Sequence, residues 1–235
     1  MKTLFTTFFA MAVACVTGLA HSQTPSPAAA PAPQKADAPA ASGASINAKT
    51  AMCLGCHGIR GYQASFPEVY KVPMISGQNA KYIAAALTAY KNGDRKHPTM
   101  RAIATTLSEQ DINEIAAYYE ASGKEDGKTL PEKPAKEPSQ QVAGLMQKAG
   151  CVSCHGSNLS KPIDPSYPKI AGQYADYLFV ALKAYKTENN PGVGRSNPIM
   201  GAMARQFSNA ELKALANYVG SIDGELKVKP ESRFR

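Results

Sequence analysis

The sequence predicts an all-α protein built from two tandem copies of one small helical module, and three observations carry that reading. A pentapeptide recurs, Cys53-Leu54-Gly55-Cys56-His57 and Cys151-Val152-Ser153-Cys154-His155, the copies starting 98 residues apart. Apolar residues repeat at helical spacing in corresponding segments, and no stretch shows strand-like alternation or a hairpin turn signal. The intervening residues also correspond one by one, as duplicates do. Pro73-x-Ile75-x-Gly77-Gln78 answers Pro168-x-Ile170-x-Gly172-Gln173, and Arg95, Pro98, Met100 and Ala104 answer Arg195, Pro198, Met200 and Ala204.

Taken in order, Lys2, the apolar run Leu4 to Val16 and the small residues Ala20-His21-Ser22 read as a secretory signal over residues 1–22. The run is too short to span a bilayer. Cys15 lies inside it; a rival reading makes Cys15 a lipidated N-terminus, but Ala12-Val13-Ala14 fits poorly where lipoprotein cleavage favours Leu. Residues 23–43, rich in Ala and Pro, form a flexible leader with too little apolar surface to order itself. The first module occupies residues 44–122, a polar, Pro-stiffened linker 123–139, the second module 140–224, and a C-terminal tail 225–235. No later segment approaches a membrane-spanning length, so the mature chain is expected to carry no transmembrane segment, and peripheral membrane association stays open.

Inside each module a helix leads into the pentapeptide, over Ala44–Leu54 and Gln140–Val152. Amphipathic helices follow over Ala80–Asn92, with Ile83, Leu87 and Tyr90 on one face, and over Tyr174–Thr187, with Leu178, Leu182 and Tyr185. The last helices open on capping boxes, Ser108-x-x-Asp111 and Ser208-x-x-Glu211. Modules this small seldom build a sufficient core alone, and a covalently held group gives them something to pack on.

Cys-x-x-Cys-His is the attachment pattern of c-type haem. Its two thiols bind the porphyrin as thioethers and its His offers an imidazole to the iron. The expectation is two haem c groups, attached at Cys53 and Cys56 and at Cys151 and Cys154, with iron bound by His57 and His155. For the second axial position the repeat selects Met100 and Met200, each in a Pro-x-Met loop before the last helix. Met74 aligns with Lys169, and Met146 and Met203 have no counterpart, which reads as packing. His97 competes with Met100, although the second copy has Asn197 there. His/Met ligation fills both axial positions and leaves no open iron, which points to electron transfer and not catalysis.

Supporting roles follow. Pro73 and Pro168 are candidate carbonyl acceptors for the other ring N–H of each His. Arg95 and Arg195 either pair with haem propionates or are solvated surface groups, and Tyr82 and Tyr177 either hydrogen-bond there or fill the core. Gly77 and Gly172 allow close backbone approach or a turn.

Composition excludes other classes. The formal charge of +8 is dispersed, with no basic stripe, so nucleic acid is not an expected partner. Zinc binding leaves the trailing His unexplained, and a thiol–disulfide oxidoreductase would need a βαβ pattern that is not visible.

Together, the duplicated haem motif, the Pro-x-Ile-x-Gly-Gln segment, the Met loop and the Ser-capped last helix resemble the dihaem cytochrome c4 family over residues 44–224. The resemblance implies two tandem class I cytochrome c-like domains related by a pseudo-twofold axis, with propionate edges facing at their interface. It also implies a periplasmic electron carrier between a quinol–cytochrome c reductase and a terminal haem-copper oxidase of a respiratory chain. The alternative is a cytochrome subunit of a periplasmic dehydrogenase complex oxidising sulfide, thiosulfate or alcohol; a dihaem enzyme stands third. The chain departs from the family pattern in its long leader, its long charged linker and a Gly/Asn-rich insertion at Glu188–Gly194.

Overall fold

Ser45 starts the first helix by accepting a hydrogen bond from the Ala48 N–H, one of the donors a helix leaves unpaired at its N-terminus. That helix, α1 (Ile46–His57), does not end before the haem motif but runs through it, so Cys53, Cys56 and His57 share one helical face. A short antiparallel pair follows, β1 (Gln63–Ala64) and β2 (Tyr70–Lys71). Helix α2 (Ala80–Asn92) ends at Gly93, whose φ of 88° is left-handed backbone that favours glycine. Then come β3 (Arg95–Lys96), α3 (Pro98–Thr105) and α4 (Glu109–Ser122).

The second module repeats this order with changes. Its leading helix breaks at Gly150 (φ 61°), giving α5 (Gln140–Ala149) and α6 (Cys151–His155). Helices α7 (Ala175–Lys186), α8 (Pro198–Arg205) and α9 (Asn209–Ser221) follow, with β4 (Gly194–Arg195) between α7 and α8. These bounds come from a computed structural model, which describes residues 45–125 and 129–230. The expected signal, its Cys15 and His21, and the leader lie outside the described residues, and no described helix is long and apolar enough to cross a membrane.

Besides the motif helices, one running on to His57 and the other breaking at Gly150, two details differ from the sequence expectation. The Met loops are helices: Pro98 and Pro198 sit in the first turn, and the preceding His97 and Asn197 accept from the N–H of Met100 and Met200. Proline at the start of a helix needs no N–H partner, so the signal was present in the sequence. The four strands are two residues each, too short to show a period of two.

In each module the amphipathic helix packs on the Met helix and the last helix. Ile83, Leu87, Ile112 and Ile115 make the first core; Leu178, Leu212, Leu215 and Phe207 lie in the larger second one. Both capping boxes are formed reciprocally.

The modules are not beads on a string. β3 and β4 belong to different modules and pair with each other, Arg95 opposite Arg195 and Lys96 opposite Gly194. The β1–β2 hairpin reaches α7, where the Lys71 N–H and ammonium both bond Asp176 and Glu68 pairs with Lys183. The C-terminal segment returns to the first module, with the Lys227 N–H donating to the Ser76 carbonyl at 3.0 Å. The linker instead lies against the second module, where the Tyr218 hydroxyl donates to the Lys136 carbonyl at 3.0 Å.

Candidate haem centres

The four motif cysteines are half-buried and in no disulfide, and before haem is attached burial pushes the Cys53 and Cys151 thiols up. The histidines beside them are held in one tautomer. His57 Nδ1 lies 2.8 Å from the Pro73 carbonyl and His155 Nδ1 lies 2.9 Å from the Pro168 carbonyl. A carbonyl only accepts, so each Nδ1 carries the proton and each Nε2 keeps its lone pair, the form that binds a metal. Burial lowers both imidazole pKa values despite the opposing carbonyl bonds, which keeps the rings neutral at pH 7.

Met100 and Met200 occupy the same third position of α3 and α8 and are half-buried. Met100 also packs on the first core. His97, which the sequence allowed as a competing ligand, caps α3 in this structure. Its Nδ1 accepts from the Met100 N–H at 3.3 Å, and its Nε2 lies 3.0 Å from the Tyr70 hydroxyl. Both ring nitrogens are engaged, and Asn197 does the capping task of Nδ1 in the second module at 2.9 Å.

Between the modules the cross-strand pair sets two guanidiniums side by side. Arg95 donates to the Tyr82 hydroxyl at 3.2 Å and lies over the Tyr90 ring; Arg195 donates to the Tyr177 hydroxyl at 3.0 Å and lies over the Tyr185 ring. Arg95 is buried, and among the described residues neither guanidinium has a carboxylate partner. Two like charges opposite one another in a sheet repel, and a buried charge without a counter-ion is costly. The field shows in the tyrosines. Burial pushes the Tyr177 phenol up, but Arg195 and Arg95 outweigh it and draw it down, whereas at Tyr82 burial outweighs Arg95 and the phenol is raised.

This arrangement fits haem c on three counts: paired cysteines one helical turn apart and in no disulfide, an imidazole presented in the ligating tautomer, and a cationic cleft suited to the porphyrin's carboxylates. Sequence reasoning picked out the Cys, His, Met, Arg and Tyr positions but missed that Tyr90 and Tyr185 flank the guanidiniums, and it gave Gln78 and Gln173 no role. Their recurrence in both copies was the available signal.

Known proteins point the same way. The family model described as "Cytochrome c" matches residues 139–223, and the one described as "Cytochrome C oxidase, cbb3-type, subunit III" matches residues 38–118. Cytochrome c4 of Thiocapsa roseopersicina is 30% identical over 201 residues, covering 81% of this chain and 95% of that one. The chain belongs to the cytochrome c4 family. The thiosulfate dehydrogenase electron acceptor of Stutzerimonas stutzeri (strain A1501) is also 30% identical, over 72% of this chain and 78% of its own. The crystal structure of reduced recombinant cytochrome c4 from Pseudomonas stutzeri superposes with a TM-score of 0.57 at 26% identity, covering 76% of this chain and 97% of that one.

As a cytochrome c4, the protein comprises two cytochrome c domains, each carrying one covalently attached haem c at its Cys-x-x-Cys-His site. It is a dihaem electron-transfer protein and not an enzyme.

Proposed function

We propose that the protein is a periplasmic electron carrier of a respiratory chain, with His57 and Met100 as axial ligands in the first module and His155 and Met200 in the second. The observation that carries this reading is the equivalence of the two sites. In both, a His with a free Nε2 ends the motif helix, and a Met sits third in a Pro-initiated helix. Each haem, when bound, supplies a one-electron iron couple. The chain's residues do the rest. The carbonyls of Pro73 and Pro168 hold the imidazoles in register, and His97 and Asn197 hold the turns bearing the methionines. With thioether and imidazole filling both axial positions, exchange is outer-sphere.

On this reading residues 1–22 direct export and are removed, and the partners are a quinol–cytochrome c reductase as donor and a terminal haem-copper oxidase as acceptor. The Stutzerimonas relative named as an electron acceptor of thiosulfate dehydrogenase favours a second donor, a periplasmic dehydrogenase of that kind.

Met100→Ala and Met200→Ala test the ligation. Each variant should lose the weak red-end ferric absorbance of its own module, drop that haem's midpoint potential and bind added cyanide. Unchanged potentials would overturn the assignment. Stopped-flow mixing with each candidate partner separates the donors.

A further inference from the structure

The repeated Gly-Gln pair spans the interface twice. Gln78 Oε1 accepts from the Lys169 N–H at 2.9 Å and its Nε2 donates to the Lys169 carbonyl at 2.9 Å. Gln173 does the same to Met74, at 3.0 and 2.8 Å. Each Oε1 also accepts from the next N–H of its own chain, Asn79 or Tyr174, both at 3.0 Å. Two N–H donors on one atom and a carbonyl on the other fix which end of each amide is oxygen. Both side chains are 4% exposed, so these bonds are sheltered from water.

The glycines explain the reach. Gly77 and Gly172 have φ of 85° and 70°, and their N–H groups anchor on the last helix of their own module, at the Tyr119 and Val219 carbonyls. A Cβ on Gly77 would meet the Glu225 carbonyl oxygen at 2.7 Å. Glycine locks the turn to its own module, and glutamine projects into the other.

The peptides gripped are those that orient the histidines. The amide joining Pro168 to Lys169 takes the His155 Nδ1–H on its oxygen and gives its own N–H to Gln78. The amide joining Pro73 to Met74 takes the His57 Nδ1–H and gives its N–H to Gln173. Polar contacts anywhere along the interface would hold the modules together; that task does not require this one peptide in both copies.

We propose that Gln78 and Gln173 are crossed positioning residues, each tuning the axial imidazole of the opposite module through that peptide. The inference rests on His57 and His155 being the axial histidines. Hydrogen bonds in a chain polarise one another. An amide that gives its N–H to Oε1 carries more negative charge on its oxygen, pulls harder on the Nδ1 proton, and makes the imidazole a more basic ligand. A more basic ligand favours ferric iron. Gln78 therefore lowers the potential of the second module's haem, and Gln173 that of the first.

The test uses the holo-protein with Gln78→Leu and Gln173→Leu, read by the hyperfine-shifted Nδ1–H resonances of His57 and His155 in the ferric form and by a redox titration of each haem. Gln78→Leu should move the His155 resonance and raise the second haem's midpoint potential while leaving the first; Gln173→Leu should do the reverse. Gln78→Glu keeps an acceptor oxygen for the Lys169 N–H; its charge acts on both haem potentials, so it is read at the His155 resonance alone, which should move the opposite way to that of the Leu variant and keeps the test alive if that variant fails to fold. For the Leu variants, shifts at the variant's own haem, equal shifts at both haems, or none would overturn the proposal. A wild-type protein without hyperfine-shifted imidazole protons from His57 and His155 removes the ligation reading itself. If those protons are present and the variants leave them in place, only the crossed coupling falls.

Discussion

The two modules reach the same haem-site geometry by different means. In the first, the motif helix α1 is continuous and tied to α4 by Lys49, which is 2.7 Å from both Asp111 and Glu114. In the second, the motif helix is broken at Gly150, and α5 meets α9 through Val142, Leu145 and the large apolar cluster around Leu212. Their loops diverge as well. The hairpin after His57 reaches outward to α7, whereas the loop after His155 closes on itself, the Asn158 side-chain Oδ1 accepting from the Ser160 and Lys161 N–H groups at 3.0 Å. A duplicated haem motif constrains where its cysteines and His lie; it leaves free how the helices are held there.

That contrast can be broken experimentally, beginning with the cores. Leu212→Ala, at a side chain 1% exposed, should cost the second module about 2–5 kcal/mol in chemical denaturation. Ile112→Ala, at 4% exposure in the smaller first core, should cost toward the low end of that range, and an equal loss would remove the asymmetry.

Lys49→Met probes the ionic tie. It leaves Asp111 without its cation, so the first module's melting temperature should fall, whereas Gln147→Met, at the aligned place in the second module, should change little.

Acid sharpens the same point. Hydrogen bonds from Lys49 and Ser108 hold the Asp111 carboxyl at about 2 instead of 3.8. A depressed carboxylate contributes fully above its unfolded value and loses that contribution as pH falls through its folded one. Between about pH 4 and pH 2 the first module should therefore lose stability relative to Asp111→Asn, followed by the haem absorbance of each module.

The smallest effect expected is at the caps. Ser208→Ala should cost about 1 kcal/mol, and Ser108→Ala slightly more because its partner Asp111 is buried among charges.

Much of this was legible in advance because it is local. The α2 helix occupies the stretch its apolar spacing predicts, Ala80–Asn92, and both Ser-initiated capping boxes form. These signals live within four residues of one another, the range over which helical periodicity and N-terminal capping act. The Cys-x-x-Cys-His copies declared their cofactor for the same reason: the chemistry needs two thiols and an imidazole on one turn or so of chain.

What the sequence alone determined is the duplicated helical module and its covalent haems. Only the tertiary structure decided the uses of Gln78, Arg95, His97 and the 188–194 insertion, whose Asn190 carbonyl takes the Lys96 ammonium and whose Gly194 begins the cross-module strand. Those partners stand on different segments of the chain, Gln78 being 91 residues from Lys169. No periodicity encodes such a distance. It is set when two apolar cores, each formed locally, dock and leave particular polar groups no water to bond.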